Sequence, residues 1–281
     1  MNFHKAPHTY TGEVHLNVLD LNRSLQFYKE IIGFKVLEEV SNKAVLTADG
    51  ETPLLIIEQP ENVRMKEPKK TGLYHFALLL PTRADLGMII EHFVDKKVAL
   101  GAADHLVSEA LYLADPDGNG IEIYIDRDPS VWHWENGKVA MATDPLDGDS
   151  IVAESAGQVW DGLPTGTVMG HVHLHVANLP DAEKFYNALG FEVVTNYPQA
   201  LFMSNGKYHH HIGLNTWNGE GAPKPSKGSV GLQSYTLIYP TELALKEAIR
   251  KVEALAVSVK SSENGFVVED PAGNRIVLRI G

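Results

Sequence analysis

The chain alternates between short apolar-polar runs and segments with helical spacing of apolar residues. Alternating apolar residues at positions 14–18 and 73–80 predict half-buried strands. Amphipathic helices are predicted at residues 22–32, 83–94, 180–189 and 241–254, and Asp20 and Asn178 are expected to cap two of them. Shorter strands follow each helix and end at residues 54–58, 121–125, 209–215 and 276–280. This order predicts four βαβββ units in tandem.

The second half of the chain repeats the first. Residues 12–18 (GEVHLNV) resemble 170–176 (GHVHLHV), and residues 72–81 (GLYHFALLLP) resemble 231–240 (GLQSYTLIYP). Residues 115–122 (DPDGNGIE) match 270–277 (DPAGNRIV), and the separations are all about 155 to 159 residues. Ordered matches at a nearly constant offset indicate internal duplication. We therefore divide the chain into a first domain at 10–126, a linker at 127–167 and a second domain at 168–280, each domain holding two units.

Composition narrows the possible partners. The formal net charge of −12 disfavours nucleic acid and anionic membranes. No apolar run approaches the roughly 18 residues that span a bilayer, and the first ten residues lack the zones of a secretion signal, so we expect a cytoplasmic protein. The chain has 13 histidines and no cysteine, so His, Asp and Glu must supply any metal ligands.

The duplication identifies residues that one half has and the other lacks. His75 corresponds to Ser234, and Glu122 corresponds to Val277, while the apolar residues around each are kept. Either residue alone can be explained as a half-buried strand histidine or an edge-strand charge. However, Glu122 lies in an apolar strand, and a buried carboxylate must be paired or bound to a metal. Both residues are therefore candidate ligands.

A third candidate ligand, His171, corresponds to Glu13 in the first half. His171, His173 and His175 alternate along one predicted strand, so they project from the same face. Such a face suits a functional site better than an apolar core. Two imidazoles and one carboxylate form the facial arrangement that holds non-haem Fe(II), although the same donors also bind Mn²⁺ or Zn²⁺.

These residues and motifs resemble the vicinal oxygen chelate superfamily, and within it the extradiol ring-cleaving dioxygenases, in particular bacterial catechol 2,3-dioxygenases. The resemblance implies an α+β fold in which four tandem βαβββ units form two paired-sheet, barrel-like domains around a metal. Residues 112–122 resemble the segment that carries an active-site tyrosine, Tyr112, and the metal-binding glutamate. Residues 208–215 resemble the strand that carries the acid–base histidine, with His210 the best match and His209 next. His105 matches a further active-site histidine.

Two arrangements of the ligands stay open at this point. The set of His75, Glu122 and His171 forms only if the second unit pairs with the third, across the halves. A site within the first half would instead use Glu13 with His75 and Glu122, as in a glyoxalase-like enzyme. We expect the arrangement across the halves, because it also unites His210 with Tyr112.

The resemblance implies a catechol 2,3-dioxygenase that converts catechol and O₂ to 2-hydroxymuconate semialdehyde with Fe(II). His210 would act as base and acid, and Tyr112 and His105 would bond substrate oxygens. The alternatives are a glyoxalase-type, metal-dependent isomerase or thiol transferase, and a non-catalytic protein that binds an aromatic ligand. The superfamily also suggests a homo-oligomer. The sequence assigns no role to His15, His173 or His211.

Overall fold

The structure is a computed structural model, and it describes residues 2–281. The first half contains two of the predicted βαβββ units. Unit one comprises β1 (Tyr10–Asn17), α1 (Leu21–Phe27, continued by a π-helical turn at Tyr28–Ile32), β2 (Lys35–Val40), β3 (Lys43–Thr47) and β4 (Pro53–Glu58). Unit two comprises β5 (Gly72–Leu79), α2 (Arg83–Asp95), β6 (Gly101–Asp104), β7 (Ser108–Ala114) and β8 (Gly120–Asp126).

The linker has little regular structure, and the second half again contains two units. The linker holds a 3₁₀ turn (Pro129–Val131), the short strands β9 (Trp134–Glu135) and β10 (Lys138–Val139), and α3 (Gly148–Glu154). Unit three comprises β11 (Val168–His175), α4 (Leu179–Ala188), β12 (Glu192–Tyr197), β13 (Ala200–Ser204) and β14 (Ile212–Asn215). Unit four comprises β15 (Gly231–Tyr239), α5 (Glu242–Ala254), β16 (Lys260–Ser262), β17 (Gly265–Glu269) and β18 (Arg275–Ile280).

Helix positions follow the sequence pattern closely. The Asp20 side chain accepts a hydrogen bond from the backbone N–H of Arg23 at 3.0 Å, and the Asn178 side chain accepts one from Asp181 at 2.9 Å. Both predicted caps are therefore confirmed. One strand prediction is wrong, because β14 begins only at Ile212 and residues 209–211 lie in the turn before it.

Two eight-stranded sheets organise the molecule, and each takes one unit from each half of the sequence. One sheet has the order β16-β17-β18-β15-β1-β4-β3-β2, which joins units four and one. The other has the order β12-β13-β14-β11-β5-β8-β7-β6, which joins units three and two. The predicted α+β fold of four βαβββ units in paired, curled sheets is confirmed. At the centre of the second sheet, β5 lies between β11 and β8.

The repeated residues mainly build the core. The buried Tyr28 hydroxyl donates to Asp115 at 2.9 Å, and its counterpart Tyr186 donates to Asp270 at 3.1 Å. Duplicated aspartates at the start of duplicated turns thus receive the same hydrogen bond from duplicated helices. Such buried polar pairs stabilise the fold because both partners are satisfied away from water.

The linker packs on the body of the protein. The buried Trp132 belongs to an apolar cluster with Phe3, Val194 and Tyr208. Gly33 has φ of 89°, and its carbonyl accepts from the N–H of Leu163 at 2.9 Å. Within residues 2–281 none of the helices has the length and apolar character that crossing a bilayer requires.

Candidate metal centre and cavity

Three adjacent strands bring the candidate ligands to one face of the second sheet. His171 on β11 pairs with Ala77 on β5, and Ala77 pairs in turn with Glu122 on β8. His75 lies two residues before Ala77 and therefore projects from the same face. The small side chain of Ala77 leaves the space between the three ligand side chains open. This arrangement depends on the pairing of β5 with β11, and these two strands come from different halves of the sequence.

The three side chains converge closely enough to hold one ion. Each offers one donor atom, and these atoms all lie within 4.8 Å of one another. Glu122 Oε2 lies 3.0 Å from His75 Nε2 and 3.1 Å from His171 Nε2. All three residues are buried, and Glu122 is only 3% exposed, so its carboxylate needs a partner.

The donor set fits a metal ion. His75 Nε2 is buried and, among the described residues, has no hydrogen bond of acceptable geometry, although it faces the carboxylate. A cation between these atoms would satisfy that nitrogen and neutralise the shared carboxylate. Two imidazoles and a carboxylate on one face match the set that binds non-haem Fe(II) while leaving other coordination positions open. The cluster can therefore hold a metal, although the donors do not by themselves select the element.

Electrostatics favour the protonation states that a metal requires. Burial opposes ionisation of Glu122, but the imidazoles of His171 and His75 outweigh it and hold the pKa of the carboxyl well below its usual range. Burial lowers the pKa of His171 to about 4, and Glu122 only partly offsets this effect. At neutral pH the site thus offers a carboxylate and a neutral imidazole, the forms that coordinate cations.

The backbone beside His171 is fixed by its neighbours. The carbonyl of Gly170 accepts hydrogen bonds from His4 Nε2 and from the Thr11 hydroxyl, each at 3.0 Å. A side chain at Gly170 would collide with the hydroxyl of Tyr124, whose ring packs against His171 at a centroid distance of 5.0 Å. Glycine at this position therefore lets the Tyr124 side chain pack against β11 beside His171.

The alternative ligand Glu13 lies elsewhere. Glu13 is on β1 in the other sheet, where its carboxylate accepts from the Thr236 hydroxyl at 2.9 Å and from Arg279 at 2.8 Å. A structural ion pair accounts for this residue. The structure therefore brings together the set that crosses the halves, and the set within one half does not assemble.

His210 faces the candidate metal site, whereas His209 points away from it. The ring of His210 lies 4.1 Å from that of His171 and 4.9 Å from that of Phe202, between centroids. Burial lowers the pKa of His210 well below its usual value, so the imidazole is neutral. His209 is fully buried and hydrogen-bonds Asp126, and it does not line the cavity. Of the two predicted acid–base candidates, only His210 lines the cavity.

Tyr112 and His105 form a hydrogen-bonded pair beside the ligands. His105 Nδ1 donates to the carbonyl of Ala142 at 2.6 Å, so its Nε2 accepts from the Tyr112 hydroxyl, also at 2.6 Å. Burial, reinforced by the Glu122 charge, raises the pKa of Tyr112 well above its usual value. The hydroxyl thus keeps its proton, which it can donate to His105 Nε2, and its oxygen can accept a hydrogen bond.

A cavity of about 380 Å³ is lined by two of the candidate ligands, His75 and Glu122, and its volume lies within the usual range of small-molecule sites. Its walls combine polar groups with aromatic and apolar side chains. They include Tyr74, Ala103, Met141, Thr143, His173, Tyr197, Phe202 and Trp217. A larger cleft of about 690 Å³ shares Tyr74 but contains none of the three candidate ligands, so the smaller cavity is the candidate active site.

Sequence reasoning missed several residues of this region. Alternation along β8 places Tyr124 and Asp126 on the same face as Glu122, and that signal was available in the sequence. By contrast, no local pattern marks Ala142 or Phe202, because they reach the site through the fold of the linker and of β13.

Three other histidines contact residues outside the set of candidate ligands. His173 accepts from the Asn215 amide at 3.0 Å, and His15 pairs with Glu58 at 2.9 Å in the other sheet. His211 Nε2 donates to the carbonyl of Phe3 at 3.2 Å, which ties the N-terminal segment to the turn before β14.

Comparison with known proteins agrees with the geometry. The family model described as Glyoxalase/Bleomycin resistance protein/Dioxygenase superfamily matches residues 8–123 and 168–278. The chain is 44% identical over 274 residues to Catechol-2,3-dioxygenase of Bacillus subtilis (strain 168), and the alignment covers 96% of each protein. A solved Bacillus subtilis subsp. subtilis str. 168 protein has a TM-score of 0.66 at 12% identity, over 96% of this chain and 84% of that one. Glyoxalase I from Zea mays has a TM-score of 0.58 at 17% identity, over 96% and 92%. The two structures establish a shared fold.

Proposed function

Because the chain belongs to the Glyoxalase/Bleomycin resistance protein/Dioxygenase superfamily, we propose that it is an extradiol dioxygenase that cleaves catechol with O₂ and Fe(II). The expected enzyme class, an oxidoreductase similar to catechol dioxygenases, is confirmed by the 44% identical relative. One observation carries the finer assignment: His75, Glu122 and His171 converge on one another, and two of them, His75 and Glu122, line a cavity whose wall also presents a neutral His210. Catechol as the substrate, iron as the metal, a homo-oligomeric state and a cytoplasmic location belong to the proposal.

Metal binding would fall to His75, Glu122 and His171. When bound, Fe(II) would supply Lewis acidity and open coordination positions for the catechol oxygens and for O₂. The protein supplies the rest of the chemistry by placing groups around those positions. Because its ligands come from three adjacent strands, the site is held by the hydrogen bonds of the sheet rather than by a loop.

His210 is the proposed acid–base residue. Its neutral imidazole lies against His171 in the cavity wall, where it can accept a proton from a substrate hydroxyl and later return it to a product oxygen. Phe202 packs edge-on against the His210 ring and limits its movement. Because this imidazole is neutral and held in place, it has a ring nitrogen without a proton that can accept one from a substrate hydroxyl held beside it.

Tyr112 and His105 are the proposed substrate-orienting pair. The Tyr112 hydroxyl can donate its proton to His105 Nε2, and the Tyr112 oxygen can then accept a hydrogen bond from a second substrate hydroxyl. Tyr74, Phe202 and Trp217 provide aromatic surface for a flat ring and reduce the access of water. The cavity therefore combines hydrogen-bonding groups with aromatic surface, as a catechol requires.

The direct test uses protein purified without oxygen and loaded with one equivalent of Fe(II). Catechol and air are added, and O₂ consumption is followed together with the yellow ring-fission product. We expect equal rates of O₂ loss and colour formation, and no turnover in the Glu122→Gln variant. The absence of O₂ uptake with catechol and its methyl and chloro derivatives, in iron-loaded protein, would refute the dioxygenase proposal and turn attention to isomerase or binding functions.

A further inference from the structure

A buried chain of hydrogen bonds runs from the cavity to a carboxylate at the end of β8. His210 Nδ1 lies 2.8 Å from His209 Nδ1, and His209 Nε2 lies 2.8 Å from Asp126 Oδ1. His209 is fully buried, and His210 is 5% exposed. The side chain of Asp126 is partly open, at 19%. The three side chains therefore connect the cavity wall with the edge of the solvent.

The direction of each hydrogen bond follows from the carboxylate. A carboxylate only accepts, so the proton between Asp126 and His209 must be carried by His209 Nε2. In its neutral form His209 carries only this one N–H, and its Nδ1 is then an acceptor. His210 must then donate from its own Nδ1. Its Nε2 consequently has no proton and keeps a free lone pair.

We propose that Asp126, acting through His209, is a positioning residue that keeps His210 in the tautomer whose Nε2 can accept a proton. This inference rests on the proposed dioxygenase function, because it gives His210 the form that a general base requires. It also assigns His209 a role different from acid–base catalysis, namely that of the connector between a carboxylate and the base. A carboxylate that orients a base through hydrogen bonds is a general device of acid–base catalysis.

The surroundings of Asp126 support this role. Asp126 alternates with Glu122 and Tyr124 along β8, so the strand that carries one candidate ligand also carries the carboxylate. Asp126 Oδ1 accepts a second hydrogen bond from the Tyr208 hydroxyl at 3.3 Å. The oxygen of that hydroxyl lies 2.6 Å from the hydroxyl oxygen of Tyr124. These contacts fix the carboxylate on the side of His209.

Aromatic packing holds His209 between its two partners. The ring of Tyr208 lies 4.1 Å from that of His209, and the ring of Trp132 lies 5.3 Å away. Because the imidazole is enclosed, it can satisfy both nitrogens only through Asp126 and His210. A ring flip would place the same two nitrogens away from their partners and leave a buried polar group unsatisfied, which is costly.

The test changes the carboxylate and reads the tautomers directly. In Asp126→Asn the amide N–H₂ can donate to His209 Nε2, which would reverse both hydrogen bonds and protonate His210 at Nε2. Ring-nitrogen ¹⁵N spectra of the metal-free protein, assigned with His209→Gln and His210→Gln, report the tautomer without any turnover. The control is Tyr208→Phe, which removes the other hydrogen bond to Asp126 and leaves the chain to His210 complete.

In the wild type we expect His210 protonated at Nδ1 and His209 at Nε2, and in Asp126→Asn the reverse. With Fe(II) bound, kcat for catechol should fall by at least about 10-fold in Asp126→Asn, since general acid–base catalysis contributes roughly 10²–10⁴-fold. KM and the metal Kd should stay within about threefold, Tyr208→Phe should keep most of the wild-type kcat, and Asp126→Glu should restore part of it. If Asp126→Asn does not fold, His209→Gln serves as the test variant in its place, because it breaks the chain of hydrogen bonds between Asp126 and His210.

A wild-type His210 that carries its proton on Nε2 would overturn the proposal, as would an Asp126→Asn variant with kcat within about twofold of wild type. The failure of the proposed function is distinguishable. If the iron-loaded wild type does not turn over catechol, the dioxygenase assignment fails, and the ¹⁵N spectra alone decide whether Asp126 sets the tautomers.

Discussion

Replacing Glu122 by glutamine tests the candidate metal centre with the smallest change of shape. The carboxylate is 3% exposed and faces two imidazole nitrogens at 3.0 Å and 3.1 Å, so Gln fits the same space while removing one negative charge. The amide nitrogen is not a metal ligand, because its lone pair is delocalised into the carbonyl group, and the neutral amide oxygen attracts a cation less than the carboxylate does. We expect metal affinity to fall sharply while the sheet stays folded.

The size of the loss can be bounded from what residues around a metal contribute. Changes to residues that merely orient a ligand cost about 10- to 100-fold in metal affinity. Removing the only anionic ligand of the three must cost at least the upper value, about 100-fold in Kd or roughly 2.8 kcal/mol. The stabilisation that saturating metal gives the wild type, about 2.7 kcal/mol at 100 times Kd, should largely disappear at the same metal concentration.

Competition titration with a metal-binding dye measures Kd, and thermal unfolding with and without Fe(II) measures the linked stability. The matched control is Glu13→Gln, because Glu13 occupies the duplicated position of His171 but pairs with Arg279 in the other sheet. That variant should bind metal like the wild type. Equal metal affinity of Glu122→Gln and wild type would refute the assignment of this site, and a loss confined to Glu13→Gln would favour the alternative set of ligands.

Three further outcomes follow from the structure. His210→Gln should lower kcat by roughly 10²–10⁴-fold with the metal Kd unchanged, and near-normal turnover in steady-state assays would rule His210 out as the base. Gly170→Ala should destabilise the protein by about 1–3 kcal/mol in urea unfolding, because the added methyl group collides with the Tyr124 hydroxyl, and an unchanged midpoint would contradict that geometry. Burial lowers the pKa of His4 to about 4 from 6.5, so its contribution to stability is complete above pH 6.5 and is lost as the pH falls towards 4. The loss amounts to about 3 kcal/mol, so the wild type should lose more stability than His4→Gln between pH 7 and pH 4 in metal-free urea titrations, and parallel curves would show that His4 is not buried as a neutral group.

The sequence was sufficient to find the ligand candidates because the duplication works as an internal comparison. His75 and Glu122 stand where Ser234 and Val277 occupy the other half, in strands that are otherwise alike. Strand alternation and helix caps depend on neighbours within a few residues, so the units and the caps at Asp20 and Asn178 could be predicted locally.

The chemistry around the candidate metal centre was only partly predictable. The motif that carries Tyr112 and Glu122 is a single segment, and it could be identified as one. The sequence did not determine which of His209 and His210 faces the cavity, because adjacent residues in a turn have no fixed alternation. Their orientations follow from the start of β14 at Ile212, which turns one imidazole into the cavity and the other towards Asp126.

By itself, the sequence determined the repeated units, the strands that carry the ligands and the three side chains that break the repeat, because each of these depends on short-range pattern. Only the tertiary structure decided that β11 pairs with β5, which joins His171 to the other two ligands across the two halves. The same holds for the contact between His209 and Asp126, which are 83 residues apart in the chain. Alternation specifies the face on which a side chain lies but not which strand lies beside it, and that choice is made when two sheets bury their apolar faces together.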